Sequence, residues 1–188
     1  RNTRGRIVSA AWKLFYEQGY GDTTVEEIIE LSGTSKGSFY HYFDGKDALL
    51  STLSSLFDEK YEELTGLLTP EMTAMEQLLF LNRELFHMIE DSISLDLLAR
   101  LYSTQLTTNG EKHLLDHNRI YYKLLRKIIA KGQAEGQLSS RSNVNEMVKL
   151  YALCERALLY DWCLCAGEYA LTEYSAKVLP GFLSSFLP

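Results

Sequence analysis

The run Leu31-Ser-Gly-Thr-Ser-Lys-Gly-Ser-Phe-Tyr-His-Tyr-Phe-Asp-Gly-Lys46 holds side chains suited to reading a nucleic acid rather than to covalent chemistry. On a helix, at about 100° per residue, Phe39 and Phe43 fall on one side and Gly37, Ser38 and His41 on the other. The second set is small or hydrogen-bonding, as a face approaching base edges needs to be. Ser35 can cap the helix, leaving free amides at an N-terminus that favours a nearby phosphate. Lys36 and Lys46 bring cations to the two ends. The stretch reads as the turn and second helix of a helix-turn-helix, the element that lies in a DNA major groove. Periodicity alone fits equally an ordinary short amphipathic helix whose aromatics are only core.

The remaining reactive residue types form no comparable set. His113 and His117 stand four apart, a spacing that suits two metal ligands on one helix face, but no third ligand accompanies them. Cys154, Cys163 and Cys165 are odd in number and late in the chain, which is no disulfide framework. Cys163 and Cys165 point to different helix faces, and buried Cys usually behaves as a small hydrophobe. No nucleophile with its base and no paired carboxylates are identifiable. The expectation is therefore a non-enzyme with no catalytic residues, no metal and no cofactor.

Around this stretch the chain reads as helical throughout. Hydrophobic residues make up 46% of 188 and charged residues 23%, enough apolar material for a core. Three prolines and few alternating runs argue for an all-α protein. No apolar stretch approaches the length of a membrane span. The segment Arg1-Asn-Thr-Arg-Gly-Arg6 opens into an amphipathic helix without a signal-peptide core, so a cytoplasmic location is expected. Ile7, Ala10, Ala11, Leu14 and Phe15 form one helical stripe ending at Gly19. Thr24 with Glu27 is a capping box for a second helix that Gly33 closes. Three short helices, the last two in a tight corner, make residues 1–46 a DNA-binding unit.

Net charge is −6, which does not advertise a nucleic-acid binder. Residues 1–48 hold six Lys/Arg against seven Asp/Glu, but the signs separate. Glu26, Glu27 and Glu30 lie on the helix before the turn, while Arg1, Arg4, Arg6, Lys36 and Lys46 lie on the presumed DNA side. Binding would then be local and geometric, with weak non-specific affinity.

The run Ser35-Lys-Gly-Ser-Phe-Tyr-His-Tyr-Phe43, followed by Lys46 and Leu49, resembles the signature of TetR-family transcriptional regulators, as do Phe15, Gly19-Tyr20 and Thr23-Thr24. The resemblance covers residues 7–49 closely and the remainder only generically. It implies that Lys36, Gly37, Ser38 and His41 face the major groove, and that Thr24, Ser35, Tyr40, Tyr42 and Lys46 contact phosphates. No Arg or Asn stands on the groove face, so the strong bidentate pairs to guanine or adenine are absent there. Specificity would lean on Lys36, on backbone approach at Gly37 and on DNA shape.

Residues 47–188 are expected to form a larger helical domain for effector binding and dimerisation. A long helix from Lys46 to about Thr65 would link the two domains. Thr69-Pro70 would start the next helix, Ser94 a shorter one to about Leu106, and Asn109-Gly110 a long one loosened at Gly132 and Gly136. The helix from Asn143 to Gly167 is apolar nearly all round, so one side can face its own core and the other a second copy. With the last helix, residues 172–187 and kinked at Pro180, it would build a homodimer through residues 143–167 and 172–187. Phe86, His87, Tyr102, Tyr121, Tyr122, Glu155 and Trp162 are the candidate lining of a mostly apolar pocket for an aromatic or lipophilic small molecule. The expected whole is a ligand-responsive regulator, a repressor released by its effector from a palindromic double-stranded DNA operator. The rival expectation is an acidic all-α dimeric adaptor that binds protein and no DNA.

Overall fold

Three short polar side chains set where the first helices begin. In the computed structural model, which describes residues 2–110 and 112–188, Asn2 caps α1 (Thr3–Gln18) by accepting the Gly5 amide at 2.9 Å. Arg1 lies outside the described residues. Thr24 and Glu27 form a complete capping box on α2 (Val25–Ser32), and Ser35 caps α3 (Lys36–Tyr42) by accepting the Ser38 amide at 3.1 Å. Gly33 ends α2 at φ +63, a left-handed conformation that costs glycine nothing. Ile7, Ala10, Ala11 and Phe15 of α1 close over Ile28, Phe39 and Phe43. Burial of such side chains stabilises by roughly 1.5–3 kcal/mol each, enough to hold three short helices that would not persist alone.

The expected helix from Lys46 to Thr65 is broken in two. A 3-10 segment, Asp47–Thr52, precedes α4 (Leu53–Thr65). Hydroxyls explain the tightening: Ser51 donates to the Ala48 carbonyl, Thr52 to Leu49 and Ser54 to Ser51, each three residues back. Thr52 also accepts from the Trp12 indole at 2.8 Å, tying the segment to α1.

Packing divides the chain into Arg1–Leu56 with Ser94–Leu114, and Phe57–Ile93 with Leu115–Pro188. The first unit thus extends beyond the segment 1–46 and takes in α6 (Leu95–Thr107). Leu97, Leu98 and Leu101 of α6 are buried, and its Arg100 lies over the Tyr20 ring at 4.9 Å.

The second unit is built on α5 (Ala74–Ser92), α7 (Ile120–Ala134), α8 (Val144–Leu164) and α9 (Leu171–Phe182), with the later part of α4. Helix α5 packs on α7 and α9, and α8 also packs on both of those. Thr73, not Thr69, starts α5, because Thr73 and Glu76 complete a reciprocal capping box while Pro70 stays in the preceding turn. Helix α7 starts at Ile120 and not at Asn109-Gly110; among the described residues between them is a 3-10 turn, His113–Leu115. Gly132 does not loosen α7 either. A Cβ there would stand 2.6 Å from Ala74 Cβ and 2.8 Å from the Leu138 side chain, so its bareness lets α5 and α7 approach. Asn143 caps α8 as expected, and the α-helix of α9 runs through Pro180 before a 3-10 turn, Leu183–Phe186. Among the described residues no helix is long and apolar enough to cross a membrane.

Candidate functional site

Helix α3 turns two different faces outward and inward. Phe39 is fully buried and Phe43, at its C-cap, nearly so. Lys36, Gly37 and His41 are exposed, and Ser38 is half-buried with its hydroxyl accepting from Ser35 at 3.0 Å. Tyr40 and Tyr42 flank this face at 45% and 43% exposure, so their phenols reach solvent while their rings lean on Phe39 and His41. The arrangement offers one lysine ammonium, one imidazole, small hydroxyls and two phenols on a convex helix, with a bare Cα at Gly37. Such groups bind phosphate and base edges by hydrogen bonds.

Two of the sequence candidates are placed differently. Thr24 is exposed but engaged in its own capping box, its hydroxyl donating to Glu27 Oε1 at 3.0 Å. Lys46 points inward: its ammonium donates to the Tyr20 carbonyl at 2.8 Å and lies 4.3 Å from the Tyr20 ring centre. Tyr20 is buried between Lys46 and Arg100, and its phenol bonds to Asp47. Lys46 therefore fastens the segment after α3 to the end of α1.

In the second unit the seven pocket candidates separate. Tyr121 donates to Glu155 Oε1 at 2.5 Å, and Asn82 donates to Glu155 Oε2 at 2.9 Å. Ser175 donates to Asn82 Oδ1 at 2.6 Å, and the Tyr151 phenol reaches the Leu78 carbonyl at 2.8 Å. A buried polar chain thus crosses α7, α8, α5 and α9. Desolvation pushes the Glu155 carboxyl above its ordinary value, against the hydrogen bonds from Tyr121, Asn82 and Tyr151. Phe86 is buried on α5. Trp162 is buried too, its indole N–H held by the Tyr169 carbonyl at 2.9 Å. Tyr122 turns to another side of α7, where its ring stacks on His117. His87 is exposed at the surface and pairs with Asp91 at 3.1 Å, away from this chain of groups. Tyr102 belongs to the first unit, on α6.

Sequence reasoning singled out Glu155 but not Tyr151, nor Ser175, which joins the chain of groups through Asn82; four-residue spacing from Glu155 could have found Tyr151 alone. His113 and His117 share no helix, one standing in a 3-10 turn and the other in the loop after it. Burial pushes the Cys163 thiol up to about 11, which keeps it protonated and weakly nucleophilic at neutral pH.

Residues 7–53 match the family model described as bacterial regulatory proteins, tetR family. The HTH-type transcriptional regulator QacR of Staphylococcus aureus (strain Mu50 / ATCC 700699) is 36% identical over 62 residues, 33% of each chain. The first-ranking curated relatives are matched over only about a third of their length or less. The fatty acid metabolism regulator protein of Bacillus subtilis (strain 168) is 23% identical over 178 residues, 93% of this chain and 90% of that one. Among solved structures, FadR of Thermus thermophilus, described as a TetR family transcriptional repressor in complex with lauroyl-CoA, superposes with a TM-score of 0.80. The two are 26% identical over 98% of this chain and 95% of that one. The capped α2–α3 corner thus lies in the segment that matches the tetR family of bacterial regulatory proteins, and the chain as a whole has the helical fold of a TetR-family repressor.

Proposed function

We propose that this chain is a ligand-responsive transcriptional repressor that binds a palindromic operator as a homodimer. The observation that carries the reading is the outer face of α3, where Lys36, Gly37 and His41 stand free of the core that Phe39 and Phe43 enter. Ser35, Ser38, Tyr40 and Tyr42 border that face as phosphate and sugar contacts, with Thr24 at the start of α2. Lys46 serves the same interface indirectly, by holding the segment after α3 against Tyr20. Two copies are needed because one short helix reads too few base pairs for a specific site. The second copy would cover Leu150, Leu153, Tyr160 and Leu164 of α8 and Tyr174 and Phe182 of α9, all exposed here.

The effector is a small molecule with a lipophilic body that binds the second unit. Lauroyl-CoA, the ligand of the Thermus structure, makes long-chain acyl thioesters the first class to test. An effector that favours the arrangement unable to span two half-sites lowers DNA occupancy by its differential affinity. The chain passes between the units three times, within α4 at Leu56–Phe57, before α6 at Ile93–Ser94 and before α7 at Leu114–Leu115, and these are the covalent routes of the signal.

Selection from a random DNA pool followed by salt titration tests the reading. Enrichment of a palindrome is expected, with affinity falling as salt rises and Lys36→Ala weakening it by about tenfold. No enrichment at low salt would overturn the reading and favour an acidic adaptor.

A further inference from the structure

A groove of about 750 Å³ runs between α7, α8 and the loop that precedes α7. Its volume lies within the range of small-molecule sites, roughly 300–1,000 Å³. Arg126 stands one turn after Tyr122 on α7, while Lys149 and Arg156 stand two turns apart on α8, so three cations converge from two helices. Glu146 is the one carboxylate among its lining residues. In a chain of net charge −6 this is a local reversal of sign.

Neutral groups hold the two guanidiniums in place. Arg126 donates to the His117 carbonyl at 3.0 Å, and Arg156 donates to the Tyr122 hydroxyl at 3.1 Å. Among the described residues none of the three cations makes an ion pair within 4.0 Å. Arg156 adjoins Glu155 in the chain, a carboxyl that burial raises and the Arg156 charge lowers, and Glu155 is engaged by Tyr121 and Asn82. The groove's floor is the buried Tyr122 ring, covered on one face by exposed His117 at 4.4 Å and 22°. Fixed guanidiniums with free N–H groups match phosphate oxygens bidentately, and an exposed stacked imidazole offers a flat face to a planar ring.

We infer that this groove binds a nucleotide-like polyphosphate, with Arg126, Lys149 and Arg156 on its phosphates and His117 against its ring. Its regulatory role, as the seat for the charged end of the effector, rests on the repressor reading above; the binding itself does not. On α8, Lys149 and Arg156 share a stripe with Leu153 and Tyr160, so the groove borders the face proposed for a second copy and opens on its α7 side.

Calorimetric titration of the full chain with coenzyme A, and separately with inorganic pyrophosphate, tests the site. Coenzyme A is expected to bind, more weakly as salt rises, with pyrophosphate competing. Arg126→Gln and Lys149→Gln, both at solvent-reached side chains, should each weaken it by about tenfold, and Glu146→Gln should tighten it. Absence of binding by either probe up to about 1 mM, or equal binding by the wild type and both cation variants, would overturn the inference. The DNA selection reads the repressor proposal separately: an operator found while the titration fails removes the groove alone, and a titration that succeeds without an operator removes the repressor alone.

Discussion

Glu155 and Glu90 are two carboxylates in one unit whose surroundings move them in opposite directions. Burial dominates at Glu155 and raises its carboxyl, although Tyr121 and Asn82 donate to it. Burial also opposes ionisation at Glu90, but the Thr172 hydroxyl and the Thr172 and Leu171 amides outweigh it and lower the carboxyl. Glu90 is in effect the cap of α9, whose own preceding residue, Ala170, has no side chain able to cap. The linkage signs differ accordingly. A raised folded value means that the folded state holds its proton more tightly. Stability from Glu155 is therefore present below the ordinary value of 4.5 and lost as pH rises through the raised one. For Glu90 the contribution is present above 4.5 and lost as pH falls through the lowered value. Urea unfolding at fixed protein concentration across a pH series should show both limbs. Glu155→Gln should flatten the upper limb and leave the lower; Glu90→Gln should do the reverse, and a wild-type profile unaffected by either change would refute the assignment.

At the scale of helices, Gly132 makes the sharpest prediction. Alanine is the better helix former by about 1 kcal/mol, so an exposed mid-helix glycine gains from the change. Here the added methyl meets Ala74 and Leu138 below 3.0 Å, and Gly132→Ala should instead destabilise by about 1–3 kcal/mol in chemical unfolding. The sequence marks Gly132 only as a weak helix position, since the neighbour that needs its bareness lies some sixty residues away. The same divide runs through the whole fold. Caps at Thr24, Ser35 and Asn143, the left-handed Gly33 and the two faces of α3 are local facts, and all were legible from spacing. The break after Lys46 was missed because Ser51, Thr52 and Ser54 compete for carbonyls within an otherwise helical pattern. The place of α6 in the first unit depends on Arg100 finding Tyr20, and the α7–α8 groove on Arg126 finding Lys149 and Arg156. His87 misled for a different reason: its partner Asp91 stands four residues on along the same exposed face of α5, a pair that spacing alone could have marked.

At the scale of the molecule, α8 has more apolar surface than one chain can cover. Met147, Tyr151, Leu158 and Trp162 are buried in the unit's own core, while Leu153 and Leu164, on the far side, are 52% and 69% exposed. Helix α9 repeats the pattern, with Leu171 and Leu179 inside and Phe182 at 55% exposure. Exposed apolar side chains of this kind on two adjacent helices suit an association face, and the proposed second copy would cover them with two-fold symmetry. In the proposed dimer a carboxylate there would oppose a like charge across the axis and strand both from water, so Leu153→Glu with Leu164→Glu should give monomers where the wild type is expected to sediment as a dimer. Helical circular dichroism should be unchanged, because neither side chain enters the monomer's core. The consequence for DNA follows from linkage of the two reading heads. The second head of a dimer binds at an effective concentration near the millimolar range, so its loss should weaken palindrome binding by roughly 100-fold or more while a half-site is affected little. A variant that still dimerises would move the interface elsewhere. A wild type that is itself monomeric would assign this face to a different protein and remove the need for a palindrome.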